Sequence, residues 1–352
     1  MDARLMEFAA ALGETVEDKD FRGAKLDGLM APGSLFTNCD FTGANIAASD
    51  LREAVFDRCT LSGASLAGSN LRRTVFNRCK FDDVDMTGAF LHSATFSQCQ
   101  LPRARFDGAG LSQVTLSESN IDDASMVGCG LQSGVWAKVS ACRVNADRTT
   151  WEYTTVSESK LEGMTWNEAA MFRSTFHKTD LPARRFDGMS IEGCLFAEAN
   201  LSGSSFRKTR MRQANFMGSR LDDCDFTEAD GPLALFCKAN GQNVRFSGAR
   251  LRQALFTEAT FPGARFELAD LYQCHFAGAD LTRAVLAGSE LTYADFSEAK
   301  LTGVDARDAS MYRAKLHRAD THDAQFSQRA IALETDDKQA KAEQWKPPQR
   351  AR

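Results

Sequence analysis

The sequence predicts an all-β solenoid: a chain coiled about a narrow apolar axis in straight sides five residues long. Three observations predict it. From Phe21 to Phe326, every residue whose number ends in 1 or 6 falls in one column, and 55 of its 62 positions hold Leu, Phe, Ile, Met, Val or Trp. The column two residues earlier, Ala24 to Ala324, holds Ala, Ser, Cys, Thr, Val or Gly at 57 of 61 positions, with Leu29, Met164, Arg184 and Met189 as exceptions. Twenty-two of the 25 Phe stand in the first column and eight of the ten Cys in the second, which explains a composition with only four Tyr and four Trp. A period of five fits neither a helix at 3.6 nor a strand at 2, so the chain turns once every five residues. With one large and one small inward residue per side, successive turns stack and bury a continuous core.

The recurring unit is Ala or Ser, then Asp or Asn, then Leu, Ile or Phe, then two polar residues, as in Ala44-Asn45-Ile46, Ser69-Asn70-Leu71, Ala199-Asn200-Leu201, Ala269-Asp270-Leu271, Ala279-Asp280-Leu281 and Ala294-Asp295-Phe296. Over residues 20 to 326 the chain resembles the pentapeptide-repeat family. The resemblance implies a right-handed quadrilateral β-helix with four pentapeptides to a turn. A 20-residue period supports the four-fold count independently. Phe36, Phe56, Phe76, Phe96, Phe176, Phe196, Phe216, Phe236, Phe256, Phe276 and Phe296 are separated by multiples of 20, and Leu51, Leu71, Leu91, Leu111, Leu251, Leu271 and Leu291 form a second such series. About 15 coils at roughly 4.8 Å each would run to roughly 75 Å.

The elements follow in order. A stack of strands leaves an open edge at each end, so a cap is expected over residues 1–19. Leu5, Phe8, Ala9 and Leu12 at i, i+3, i+4 and i+7, with Asp2 before them and Gly13 after, predict an amphipathic helix at 3–12. Residues 20–326 are the β-helix, with two irregular coils. At 136–172, Trp136, Trp151 and Trp166 enter the large column while Ala141 and Ala146 fill the slots between the first pair, a volume exchange that either reshapes the coil locally or kinks it into a binding locus. At 230–241, Gly231 and Gly241 stand in large slots beside Pro232, which predicts a bulged loop. Beyond Phe326 the period stops, and 327–352 reads as a polar tail. It is helical where Glu334–Lys338 and Asp337–Lys341 form i,i+4 pairs and disordered past Pro347-Pro348.

Composition excludes whole classes of function. Forty-two basic against 47 acidic residues give a net charge of −5, without the excess of cations that direct nucleic-acid binding requires. Mean hydropathy is −0.33 and no apolar run spans a bilayer, while Asp2, Arg4 and Glu7 stand where a signal peptide needs an apolar core. No membrane association is expected. The absence of any CxxC pair and the small-column position of most cysteines point to thiols in a reducing cytoplasm. The ladder Cys39, Cys59, Cys79 and Cys99 packs like the Ala and Ser of the same slot, so no metal or other cofactor is expected. The core column is filled almost throughout, which leaves no interior site to tune a catalytic group, and the chain is not expected to be an enzyme. The five histidines all fall at outward positions and read as surface residues.

Function is therefore expected on the outer faces, sorted by residue number modulo 20. The face around Leu61, Phe81 and Leu281 repeats the doublets Asp82-Asp83, Asp122-Asp123 and Asp222-Asp223, either an acidic recognition stripe or carboxylates that are simply solvated. The opposite face, around Leu91, Met211, Leu251 and Met311, carries all four tyrosines. Its second half holds Arg210, Arg212, Arg250, Arg252, Tyr272, Tyr293, Tyr312 and Arg313. Exposed Tyr with Arg is the composition of protein-binding hot spots, and stacked Tyr and Gln can equally brace a wall of strands.

The leading expectation is a non-enzymatic scaffold that binds a protein partner through this Tyr/Arg face, with homodimerisation left open. The family resemblance implies an alternative, a mimic of duplex DNA that binds and protects DNA gyrase. Such members carry a strong acidic stripe and an apolar C-terminal dimer module, whereas here charge is nearly balanced and the tail is polar. It also implies a third setting, an accessory or effector protein of a bacterial secretion system.

Overall fold

The computed structural model describes residues 13–345. The helix expected at 3–12 lies outside them. The solenoid begins earlier than the repeat pattern suggested, because Thr15–Glu17 is already a strand paired with Leu35–Thr37, and Val16 is buried in the large column. The end of the segment assigned to a cap is thus the first side of the coil.

Each side follows from a division of labour among five residues. The large residue and the small residue two before it point inward and are buried throughout most of the chain. The residue between them pairs with its counterpart 20 positions on, as in Asn45 with Ser65 and Asp225 with Arg245. At many of the positions where it is Asp or Asn, its side-chain oxygen accepts the N–H two residues later: Asp40 Oδ1 from Thr42 at 2.9 Å, Asp280 Oδ1 from Thr282 at 3.1 Å. That bond caps the turn and accounts for Asp and Asn at this point of the motif. Every residue whose number ends in 3 or 8, from Gly13 to Asp323, has φ between 45° and 74°, and among the described residues no other does. This left-handed residue is what bends the chain into a new side after five residues.

The chain falls into two compact units, residues 13–181 with 189–199 and residues 182–188 with 200–345. Two of the exceptions to the small column, Arg184 and Met189, stand where the division falls and are only half-buried. In the first unit, nine three-residue strands from Thr15–Glu17 to Thr175–His177 form one parallel sheet in 20-residue register. The second unit is built mainly from single-residue bridges in the same register, with one pair of short strands, Asp305–Ala306 and Gln325–Phe326. Phenylalanines 20 apart stack at ring separations of 4.7 Å for Phe36–Phe56 and 4.8 Å for Phe236–Phe256, and neighbouring stacks meet edge-on, as at Phe226–Phe236. Small-slot hydroxyls and thiols donate to a carbonyl of the coil before: Ser69 Oγ to Ile46 O at 2.8 Å, Cys79 Sγ to Phe56 O at 3.3 Å. The slot therefore admits Cys for the same reason as Ser. Burial pushes the thiols of Cys129, Cys194 and Cys224 up to about 12, so they stay protonated.

The two coils expected to be irregular keep the register. Through 136–172 the parallel pairing is unbroken, and a second face gains a three-stranded sheet of Gly130–Gln132, Thr150–Glu152 and Ala170–Phe172. Trp136 and Trp151 pack at 5.2 Å and 65°, with Trp151 Nε1 donating to Thr149 Oγ1 at 2.8 Å, while Ala141 and Ala146 are fully buried beside them. At 230–241 no bulge forms. Asp230, Leu235 and Asn240 pair on both sides of the coil. A Cβ on Gly231 would lie 2.6 Å from Met211 Cε, and one on Gly241 would lie 2.7 Å from the Leu221 backbone, so neighbouring groups already occupy the space that the missing side chains leave.

After Phe326 the chain makes a short 3-10 turn, Arg329–Ile331, pairs Leu333 with Lys315, and then forms helix α1, Asp337–Gln344. Asp336 Oδ1 accepts the Lys338 N–H at 2.8 Å at its start. This segment corrects the reading of His317. Its outward position is covered by the returning chain, so it is only 7 % exposed; Nδ1 accepts the Asp336 N–H at 3.3 Å and Nε2 lies 3.1 Å from Glu343 Oε2.

Candidate functional site

The face of the second unit that presents residues 210–213, 230–233, 250–253, 270–273, 290–293 and 310–313 is set by the 20-residue register: Arg210, Asp230, Arg250, Asp270, Glu290 and Ser310 pair in sequence along it. Its aromatic part is a staircase. Tyr272 and Tyr293 meet edge-to-face at 5.9 Å and 85°, and Tyr293 and Tyr312 at 5.8 Å and 82°. The rings brace one another, yet Tyr293 is 40 % and Tyr312 50 % exposed. Above them the Arg252 guanidinium lies 4.4 Å from the Tyr272 ring centroid and 3.5 Å from Asp270 Oδ2. Gln253 Nε2 donates to Gln273 Oε1 at 2.9 Å, which stiffens the same wall. Arg210, Arg212, Arg250 and Arg313 form no ion pair among the described residues. All eight residues expected at a protein-binding surface thus lie on one face of one unit, divided into a basic stretch and an aromatic stretch. Tyr153 is in the other unit, edge-on to Phe172 at 5.8 Å, with Arg173 over the Phe172 ring.

The acidic doublets behave differently. Asp83 accepts two hydrogen bonds from Arg103, at 2.7 and 2.8 Å, and Asp123 accepts two from Arg143, at 2.6 and 2.7 Å. Arg103 also lies 3.9 Å from Asp82. Hydrogen bonding to these guanidinium groups holds the carboxyls of Asp83 and Asp123 below the usual carboxylate range. The column therefore alternates in sign: Asp83, Arg103, Asp123, Arg143. Asp122 accepts the Ser140 hydroxyl at 2.7 Å and the Cys142 N–H at 2.8 Å. In the second unit, Asp222 accepts the Gln242 N–H and Asp223 the Asn243 amide, each at 3.0 Å. These are carboxylates that tie one coil to the next. An alternating column was readable in the sequence at a spacing of 20, a signal that counting acids alone does not reveal.

Among the described residues no group of three or more His, Cys, Asp or Glu is placed to hold a metal ion, and no helix is long and apolar enough to cross a membrane. The axial core of the first unit holds a cavity of about 10 Å³ lined by Phe96, Phe106, Leu111, Val114, Leu116, Ile121, Met126, Leu131 and Trp136. It has the size of about one water molecule and an apolar wall, without a group that could act on a substrate.

Comparison with known proteins places the repeat. Three family models match: "pentapeptide repeat region" over 32–104, "pentapeptide repeats (9 copies)" over 186–230, and "pentapeptide repeats (8 copies)" over 91–128 and in overlapping stretches from 238 to 328. No curated protein matches the sequence. Solved structures that resemble it include full-length QnrB1, a plasmid-mediated fluoroquinolone resistance protein, at 18 % identity over 61 % of this chain and 88 % of that one, TM-score 0.31. HetL from Nostoc sp. strain PCC 7120, involved in heterocyst differentiation regulation, matches at 20 % identity over 89 % and 96 %, TM-score 0.19. A PL6 alginate lyase matches at 9 % identity over 95 % and 86 %, TM-score 0.30. On the matched repeats, and on the five-residue side and 20-residue register observed within each unit, the chain belongs to the pentapeptide-repeat family.

Proposed function

We propose that this protein is a non-enzymatic scaffold that docks a protein partner through the Tyr/Arg face of its second unit. One observation carries the reading: exposed Tyr293 and Tyr312 stand on the same face as the unpaired Arg210, Arg212, Arg250 and Arg313. Rigid aromatic side chains contribute apolar contact at little entropic cost, and unpaired guanidinium groups contribute directional hydrogen bonds. A solenoid suits such a role because its backbone register fixes where each outer side chain is rooted on the face. The acidic doublets favour a structural part, since Asp83 and Asp123 are each held bidentately by an arginine of the next coil.

The test is affinity capture from the native lysate with the wild-type chain beside a Tyr272→Ala/Tyr293→Ala/Tyr312→Ala variant whose circular dichroism is unchanged. The proposal expects a partner retained by the wild type and lost by the variant. Equal capture by both would reduce the tyrosines to bracing of the wall.

A further inference from the structure

The same face also carries information about what docks on it, and the inference here rests on the docking reading. Five arginines of the second unit have neither an ion pair nor a side-chain hydrogen bond among the described residues: Arg210, Arg212, Arg250, Arg283 and Arg313. Four of the five stand on the Tyr face. Across its six coils this face carries five arginines against three carboxylates, Asp230, Asp270 and Glu290, in a chain whose net charge is −5. Asp230 lies between Arg210 and Arg250 in the same column and forms an ion pair with neither. Arg252 is engaged by Asp270 and Tyr272 and is not available in the same way. The cations are also ordered. Arg210 and Arg212 share one coil, Arg250 stands two coils on, and Tyr272, Tyr293 and Tyr312 follow on the next three. Beyond them the Arg313 N–H donates to Ile331 O at 3.0 Å and sets Ile331, exposed, at the end of the stripe.

We propose that the face takes an extended acidic segment of a partner protein, with carboxylates on Arg210, Arg212 and Arg250 and the apolar side chains that follow on the tyrosine staircase. The spacing fits. Coils repeat at about 4.8 Å, so Arg210 and Arg250 are offset by about 10 Å, the span of three residues in an extended chain at about 3.3 Å each. From Arg210 to Tyr312 is five coils, about 24 Å, which roughly seven extended residues cover. Guanidinium groups without partners are matched by carboxylates, which they hold bidentately. Edge-to-face tyrosines with open outer surfaces suit aliphatic or proline side chains. A long polyanion such as single-stranded RNA also offers charge and stacking, but it would work against the overall negative charge of the protein. A short segment with two or three carboxylates is governed by the local excess of arginine, because charges beyond about 10 Å are screened at physiological salt.

The experiment pans the full chain against a displayed library of random peptides of roughly ten residues, long enough to cover the stripe. An Arg210→Gln/Arg212→Gln/Arg250→Gln variant and the triple tyrosine variant are tested in parallel, with circular dichroism as the fold check and poly-uridylate as a competing probe. The expected result is enrichment of peptides with Asp or Glu three residues apart ahead of Val, Leu or Pro. Their binding should weaken about tenfold or more in either variant and fall as NaCl rises. Peptides without carboxylates, or peptides that bind the arginine variant as well as the wild type but not the tyrosine variant, would overturn the acidic segment and leave the docking face standing. Peptides indifferent to both variants would overturn both. Tight binding of poly-uridylate that displaces the peptides, or no enrichment at all, would also overturn the acidic segment.

Discussion

A Cβ added to Gly63 would meet nothing within 4 Å, yet its φ of 65° lies where side-chain-bearing residues are disfavoured, so this position isolates the backbone cost of the five-residue side. Gly63→Val is expected to lower stability by about 1–2 kcal/mol and Gly63→Asn by about half of that, because a β-branched residue is strained in the left-handed region while Asn tolerates it. The urea midpoint of the two variants against wild type measures the difference, and equal midpoints would mean that the left-handed residue is not what limits the side. The large and small columns were legible because burial selects side-chain size at those positions. The left-handed column was not read, although 20 of the 25 glycines stand in it, because 43 of its 63 residues carry ordinary side chains such as Arg103, Glu258 and Leu268. A conformational demand that solvent-facing side chains can meet at modest strain leaves a weaker mark on composition than a demand for volume.

Within a coil, packing and hydrogen bonding decide what a substitution does. Leu116 interrupts a column that stacks Phe36, Phe56, Phe76 and Phe96, and it lines the small cavity beside Trp136. Leu116→Phe is expected to stabilise the first unit by about 1 kcal/mol by extending the stack into that space, read as a higher urea midpoint. A lower midpoint would mean that the cavity is too small for the ring and that strain wins. Asp225 tests the hydrogen bonding of the second unit. Burial alone would raise its carboxyl, but bonds from Thr227 and Arg245 hold it below the ordinary range. A carboxyl depressed in the folded state contributes stability that is present above its unfolded pKa of about 3.9 and is lost as pH falls through the folded value. Asp225→Asn should therefore cost about 1–3 kcal/mol at neutral pH, and the difference from wild type should shrink below about pH 4. Denaturant midpoints across that range measure it, and a difference that stays constant with pH would assign the loss to packing. The misread coil at 230–241 belongs to this scale too: Gly in a large slot looked like an interruption because the sequence does not show that Met211 and the Leu221 backbone fill the gap from the neighbouring coil.

Across the whole chain, charge is arranged in columns, and this governs both what was legible and how salt acts. The composition of the Tyr/Arg face could be read from residue numbers modulo 20. Which of its arginines stay unpaired could not, because pairing depends on side-chain reach between coils: Arg252 meets Asp270 while Arg250, two residues earlier, meets no carboxylate among the described residues. His317 escaped for a similar reason, since the chain that covers it returns from beyond the repeat. The ion pairs between coils, such as Glu53–Arg73, Lys208–Glu228 and Lys238–Glu258, join well-exposed groups. Exposed pairs contribute about 0–1 kcal/mol each and are screened by salt, whereas stability here rests on the buried Phe and Leu columns, which salt does not weaken. Raising NaCl from about 50 mM to about 500 mM should therefore shift the unfolding free energy by no more than about 1 kcal/mol. Over the same range, binding at the Tyr/Arg face should fall severalfold, because its unpaired guanidinium groups act on a partner from solvent. Urea titrations and binding isotherms at both salt concentrations separate the two. A fold that weakens sharply with salt would shift its stability from the apolar columns to the ladders, and binding indifferent to salt would leave the tyrosines alone to hold the partner.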